Sequence, residues 1–480
     1  MTLPKEAAIS EAVTASIQDP DFLLGSTLAR ELYHGTAAAC PIVDYHCHLD
    51  AGEMAANRRF ENLARLWVST DPYKHRAMRI LGVPEASITG GADDRAKFLA
   101  WASCVPKLLG SPLYHWTALE LDRYFGIDTP LNAETAEAIW EAANARLAEQ
   151  GFRYRGLMER YPVETVCTSD RLLDPLDAHR RLAAEAGVGN WLPSLRSDDI
   201  IDVASERFPE WVAELAALPG DAPICDLDGF KAALTGRFDV FDGLGCRLAD
   251  HGLDTVAYVR TKPDRAAELF GRRLAGPLTS AEEVELRSAL LLWLGGEYAR
   301  RGWVMQLHLG ARRRTSPRLR RLAGPVGGFA AIGNPVDLDA LCDWFGDLES
   351  EAGLPRVQLY PLNPSQFAAC AALTGSFAED GLPGKIRFGP AWWWNDHRAG
   401  MRHQLEQLAA YGVLSTFMGM TTDSRSVLSM VRHEYFRRVL CEWLGEQVAT
   451  GAFPSDDGLL RDLVRLLCYE NASRLFNPRS

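Results

Sequence analysis

Residues Pro41-Ile42-Val43-Asp44-Tyr45-His46-Cys47-His48-Leu49 join an apolar, β-branched run to two histidines one residue apart. The run predicts a buried strand, and side chains alternate across a strand, so His46 and His48 share one face while Cys47 takes the other. Two imidazoles on one face of a strand end can share a divalent metal ion. Elsewhere in a chain such a pair reads as exposed or hydrogen-bonded imidazoles. Its place at the carboxyl end of a strand, where parallel α/β folds build their sites, favours ligation.

Outward from this run at 41–45, seven more of the same kind follow, at 163–168, 191–195, 255–259, 303–307, 356–360, 385–388 and 414–420. Each is followed by helical periodicity, and eight βα units predict an α/β fold, a (β/α)8 barrel of the TIM type. About 115 residues separate the first two runs, far more than a crossover helix needs. They predict an inserted, mainly helical subdomain after the first strand, with helices near 95–105 and 135–148 and with Trp101, Trp116 and Trp140 available for burial. The expected organisation is 1–50 for the N-terminal segment and first strand, 51–160 for the insertion, and 161–480 for the rest of the barrel with a C-terminal helical segment. The connection 197–254 also reads as helices.

The chain has 480 residues, 47% hydrophobic and 24% charged, which suits a globular enzyme and excludes disordered and collagen-like classes. Its net charge of −12 argues against nucleic acid and anionic membranes as partners. No apolar stretch approaches the roughly 18 residues of a membrane span. Ten cysteines without a Cys-x-x-Cys pair, and a start at Met1-Thr2-Leu3-Pro4-Lys5-Glu6-Ala7-Ala8 without a basic-then-apolar leader, predict a cytoplasmic protein.

Other strand ends add chemistry. The eighth run leads into Thr422-Asp423-Ser424-Arg425-Ser426, where Asp423 reads either as a helix cap or, beside the His-x-His of its barrel neighbour, as a metal ligand or base. Gln306-Leu307-His308-Leu309-Gly310 ends the fifth run, and His308 is either a ligand-facing or a satisfied buried histidine. Arg312, Arg313, Arg314, Arg318, Arg320 and Arg321 follow. Most of them read as a solvated face, and one near His308 is placed to hold a carboxylate bidentately. Arg196 ends the third run, and Trp392-Trp393-Trp394 follows the seventh, where at least one indole must border the barrel mouth. Tyr73 lies in the insertion and, taken alone, reads as packed. Val431-Arg432-His433-Glu434 opens like a zinc-protease helix, but position 437 is Arg and the second histidine is absent. No dinucleotide fingerprint, phosphate loop or Gly-x-Ser-x-Gly elbow is present.

Taken together, the first histidine motif, 71–78, Pro112-Leu113-Tyr114-His115-Trp116, 297–303, His308-Leu309-Gly310-Ala311, Trp392-Trp393-Trp394-Asn395-Asp396 and Thr422-Asp423-Ser424-Arg425-Ser426 resemble the uronate (glucuronate) isomerase family of the amidohydrolase superfamily. The likeness runs in order from about residue 21 to the C-terminal Asn471-Ala472-Ser473-Arg474-Leu475-Phe476. It implies conversion of D-glucuronate to D-fructuronate and of D-galacturonate to D-tagaturonate. It also implies one divalent metal ion, commonly zinc, held by His46, His48 and Asp423, and substrate contacts from Tyr73, Arg196, His308, Arg313, Trp392 and Arg425. Leu195 and Arg314 depart from the family's usual neighbours of the two arginines.

Aldose–ketose isomerisation needs a base at C2, stabilisation of an enediol and a proton shuttle between O1 and O2, roles that Asp423 and Tyr73 can fill. Arginines are needed because a buried, unpaired carboxylate costs several kcal/mol. The alternative is a mononuclear metal-dependent hydrolase of the same superfamily, acting on an amide or lactone. Many binuclear hydrolases of this kind carry a bridging Lys or Glu on strand four, and the run at 255–259 offers no carboxylate or lysine, which favours one metal ion. A third reading is a non-catalytic sugar-acid binder. The expected partner is a small hexuronate, and the number of subunits stays open, a homo-oligomer included.

Overall fold

The computed structural model describes residues 17–218, 223–324 and 327–476. The N-terminal leader reading, at residues 1–8, lies outside the described residues, as do the first sixteen of the 1–50 segment. Seven strands form one sheet: β1 (Ile42–Cys47), β2 (Val163–Arg171), β3 (Asn190–Arg196), β4 (Leu248–Leu253), β5 (Val304–Leu309), β6 (Arg356–Pro361) and β7 (Ile386–Phe388). Each pairs in parallel with the next in chain order. All carboxyl ends therefore fall on one edge of an α/β sheet. β1 and β5 are buried at every position, as expected of a parallel sheet covered on both faces.

Two expected strands are corrected. The fourth lies at Leu248–Leu253, inside the connection read as helical, while 255–259 is irregular chain. Leu248-Ala249-Asp250-His251-Gly252-Leu253 hides its strand character behind two buried polar residues, each with a tertiary partner: His308 for Asp250 and Tyr298 for the His251 Nε2 atom. The eighth run forms a 3-10 turn at Leu414–Thr416 and then an irregular segment with no ladder. Gly419 breaks it, with φ +82° and no room for a Cβ, which would stand 2.2 Å from the Leu467 carbonyl oxygen. Its carbonyls at Ser415 and Phe417 accept from the Asn471 amide at 2.7 and 2.8 Å. The segment still borders both edge strands: Tyr45 Oη donates to Gly419 O at 2.9 Å, and Arg387 on β7 reaches Met418 Sδ at 3.1 Å.

Between β1 and β2 the chain is helical, including Leu63–Trp67, Pro72–Ile80, Asp94–Cys104, Pro112–Glu120 and Ala136–Leu147. Trp101 and Trp116 are buried there and Trp140 is partly so. Pro72–Ile80 begins for a plain reason: the Asp71 carboxylate accepts from the N–H groups of Tyr73 and Lys74 at 2.8 and 3.2 Å, and Pro72 occupies the first turn. The C-terminal part holds the long buried helix Val431–Ala449. Among the described residues no helix is long and apolar enough to cross a membrane.

Candidate active site

The carboxyl edge of the sheet surrounds a cavity of about 590 Å³. His46, His48, Tyr73, Arg196, His308, Arg313, Trp392, Asp423 and Arg425 all line it. So do Trp393 and Trp394, so all three adjacent indoles border the mouth.

His46 and His48 come from the end of β1. Asp44, fully buried beneath them, accepts from Thr421 Oγ1, Thr422 N and Thr422 Oγ1 at 2.8, 2.8 and 2.6 Å, which fixes the loop that delivers Asp423. Asp423 Oδ1 lies 2.9 Å from His48 Nε2 and 3.5 Å from His46 Nε2. Asp423 is no helix cap, because Ser426 accepts from the Leu428 N–H at the start of the following turn. Burial alone would raise the Asp423 carboxyl, but hydrogen bonds from His46 and His48 hold it well below the usual range. Burial pushes His48 down to about 4, whereas Asp423 and Asp250 outweigh burial at His46 and raise it.

Asp250, in the middle of β4, was invisible to sequence reasoning because that strand was misplaced by a few residues. It forms a second group with His46 and His308, whose ligand atoms lie within 4.8 Å of one another, as do those of His46, His48 and Asp423. Asp250 Oδ1 is 3.2 Å from His308 Nδ1, and Ser169 Oγ donates to Oδ2 at 2.9 Å. The fourth strand therefore does supply a carboxylate, and the argument against a hydrolase drawn from its absence falls. His308 stacks on Tyr360 at 4.5 Å and meets the Trp392 edge at 4.8 Å.

Cations face this pole. Arg196 Nη2 donates to His48 Nδ1 at 3.0 Å, and its Nε stands 3.9 Å from Asp250. Arg313 pairs with Asp254 and lies over Trp393 at 5.5 Å. Gly252 makes room for it: a Cβ there would come within 2.9 Å of Arg313 Nη2. Arg425 is largely buried, which lowers its pKa. On the side of the helices between β1 and β2, Tyr73 packs edge-on to Trp116 and Trp394 at 5.9 and 5.7 Å, yet its buried hydroxyl has no hydrogen-bond partner among the described residues. Tyr73 is thus both packed and directed at the cavity. Burial, then the nearby Asp396, push its hydroxyl well above the ordinary tyrosine range.

A parallel α/β sheet whose carboxyl edge gathers two histidines, an aspartate and a set of arginines defines an enzyme of the amidohydrolase-like class with a candidate metal centre. Within that class the chain belongs to the glucuronate isomerase family, whose model matches residues 14–476. A uronate isomerase of Salmonella paratyphi A is 44% identical over 467 residues, 96% of this chain and 99% of that protein. Among solved structures, a uronate isomerase from Thermotoga maritima has a TM-score of 0.90 at 31% identity, covering 96% of this chain and 99% of its own. A glucuronate isomerase from Caulobacter crescentus has a TM-score of 0.86 at 25% identity, covering 94% of each.

Proposed function

We propose that this chain interconverts aldehyde hexuronates and 2-keto hexuronates, D-glucuronate with D-fructuronate and D-galacturonate with D-tagaturonate. The observation that carries the reading is one cavity in which Asp423 and the unpartnered Tyr73 hydroxyl share a lining with Arg196, Arg313 and Arg425. A carboxylate-bearing sugar needs the arginines, and an enediol path needs the other two. Asp423 takes the C2 proton, Tyr73 carries a proton between O1 and O2, and the arginines pair with the acid group. His308 and Trp392 wall the sugar in.

His46, His48 and Asp423 fit a single divalent ion of the zinc type, because two imidazoles and one carboxylate bring their ligand atoms within 4.8 Å of one another. When bound, such an ion supplies Lewis acidity to the sugar oxygens. In this reading the segment 417–422 serves as an irregular eighth stave that closes the sheet into a barrel, 51–160 as the inserted helical subdomain, and the described residues of 1–50 and 161–480 as an N-terminal segment with the first strand and the rest of the barrel with a C-terminal helical segment. Ten free cysteines suit a reducing cytoplasm.

The test is to incubate the protein with D-glucuronate, and in parallel with D-galacturonate, and follow the C1 proton by NMR. Transfer of intensity to ketose signals is expected with at least one sugar. No change with either sugar removes the isomerase reading.

A further inference from the structure

Behind Tyr73 sits a buried cation that the scheme above leaves unused. Arg432 opens the helix Val431–Ala449 and is 1% exposed. Its guanidinium carbon stands 4.8 Å over the Tyr73 ring and 4.2 Å over the Trp116 ring, so the cation lies against two aromatic faces. The same group donates through Nη1 to the carbonyl oxygen of Thr422 at 3.0 Å and lies 3.6 Å from Asp396 Oδ2. One side chain therefore touches the helix that carries Tyr73, the residue before Asp423, and the turn after Trp392-Trp393-Trp394. An apolar side chain of similar volume could fill the same space without the cost of burying a cation, and it would offer neither the charge nor the planar fork that meets Tyr73, Thr422 and Asp396 here. A guanidinium over a phenol ring fixes the plane of that ring and favours negative charge developing on its oxygen.

We propose that Arg432 is a positioning residue for the isomerisation: it sets the Tyr73 ring against the Asp423 backbone, with Asp396 orienting its guanidinium. The inference rests on Tyr73 being the proton carrier proposed above. Arg432 touches no substrate in this reading and acts only through Tyr73, with the Thr422 carbonyl serving to anchor its guanidinium.

A double-mutant cycle tests it on the purified, metal-loaded enzyme, with Arg432→Lys, Tyr73→Phe and the pair. Lysine keeps the charge but loses the plane. The expected result is a fall in kcat of about tenfold with KM changed less than about twofold, and a loss of less than about twofold when the same change is made in the Tyr73→Phe background. Metal content should be unchanged. Equal losses in both backgrounds, or an unchanged kcat, overturn the proposal. Should Arg432→Lys not fold, Asp396→Asn reads the same cycle: a loss confined to the Tyr73 background supports the proposal and an equal loss in both defeats it. A fully active Tyr73→Phe instead removes the proton-carrier reading itself, whereas an impaired Tyr73→Phe beside an unaffected Arg432→Lys removes only the role of Arg432.

Discussion

The backbone N–H of Asp423 donates to the carbonyl oxygen of His46 at 3.1 Å. Two residues on, the His48 N–H donates to Ser424 O at 2.9 Å, so the loop and β1 are spliced by their main chains. Convergence of the His46, His48 and Asp423 side chains thus does not depend on their own contacts. Replacing both His46 and His48 by Ala should leave a folded protein that no longer retains stoichiometric metal ion. Circular-dichroism melting and elemental analysis after exhaustive dialysis check the two halves. Full metal content in the double variant would take these histidines out of the ligand set and leave Asp250 and His308 to account for binding.

Carboxylate recognition depends on the shape of Arg313 as much as on its charge. Its guanidinium is paired with Asp254, lies over Trp393, and has the bare backbone of Gly252 beside it. A lysine ammonium cannot reproduce that planar fork. Arg313→Lys and Arg196→Lys should each lower kcat/KM for a uronate by about one to two decades, the worth of a charged hydrogen bond at roughly 1.5–3 kcal/mol. The control is an aldose without the acid group, whose already poor turnover should change far less. Matching losses on both sugars would mean that these arginines do not read the carboxylate.

How much of this was legible in one dimension depended on how locally each feature is encoded. His46 and His48 share a face by strand geometry alone, and their placement on β1 needed only the apolar run before them. β5 and β6 were legible because Met305, Leu307 and Leu309, and Val357 and Leu359, keep an alternating apolar pattern through the polar residues between them. β4 was displaced because Asp250 and His251 interrupt its apolar pattern, and only the folded sheet supplies the partners that let them be buried. The eighth run was read as a strand from composition, whereas the left-handed Gly419 and the Asn471 amide, remote in sequence, decide its backbone. Arg432 and Asp396 carried no local signal, since only packing sets them behind Tyr73.

Stability should depend on pH through Asp170, on β2. Burial, with Asp174 adding to it, raises its carboxyl to about 7, against the opposing Thr168 hydroxyl at 2.7 Å and Arg196. A carboxyl with a raised folded-state pKa holds its proton more tightly in the folded chain. Its contribution is therefore fully present below the unfolded value of 3.8 and is lost as pH rises through about 7. Asp170→Asn mimics the protonated form at every pH. The variant should lose part of the decline in Tm that the parent shows between about pH 4 and 7, with a ceiling of roughly 4 kcal/mol at 1.36 kcal/mol per decade. Parallel Tm-against-pH curves for the two proteins would show that Asp170 does not titrate differently on folding.

Proton abstraction gives the sharpest test, because Asp423 is asked both to ligate metal and to take the C2 proton. Its backbone sits at φ +44°, in the left-handed region that Asn and Asp tolerate better than other side chains. Asp423→Asn keeps the backbone, the main-chain bond to His46 and one oxygen, and removes the negative charge and with it the capacity to accept a proton, so metal content is measured beside turnover. Hydrogen bonds from His46 and His48 outweigh burial and hold the carboxyl well below its usual range, so the parent side chain is ionised at neutral pH. The variant should fold, with a Tm below the parent's at neutral pH because it lacks the ionised carboxylate that the histidines favour, and lose at least about a hundredfold in kcat, the low end of general-base contributions. Tyr73→Phe should be impaired less. In D2O the parent should place deuterium at C1 of the ketose, since a carboxylic acid facing an open cavity can exchange its proton before returning it. Full retention of the migrating hydrogen would point to a hydride shift or a sealed site, and near-normal turnover by Asp423→Asn would end its candidacy as base.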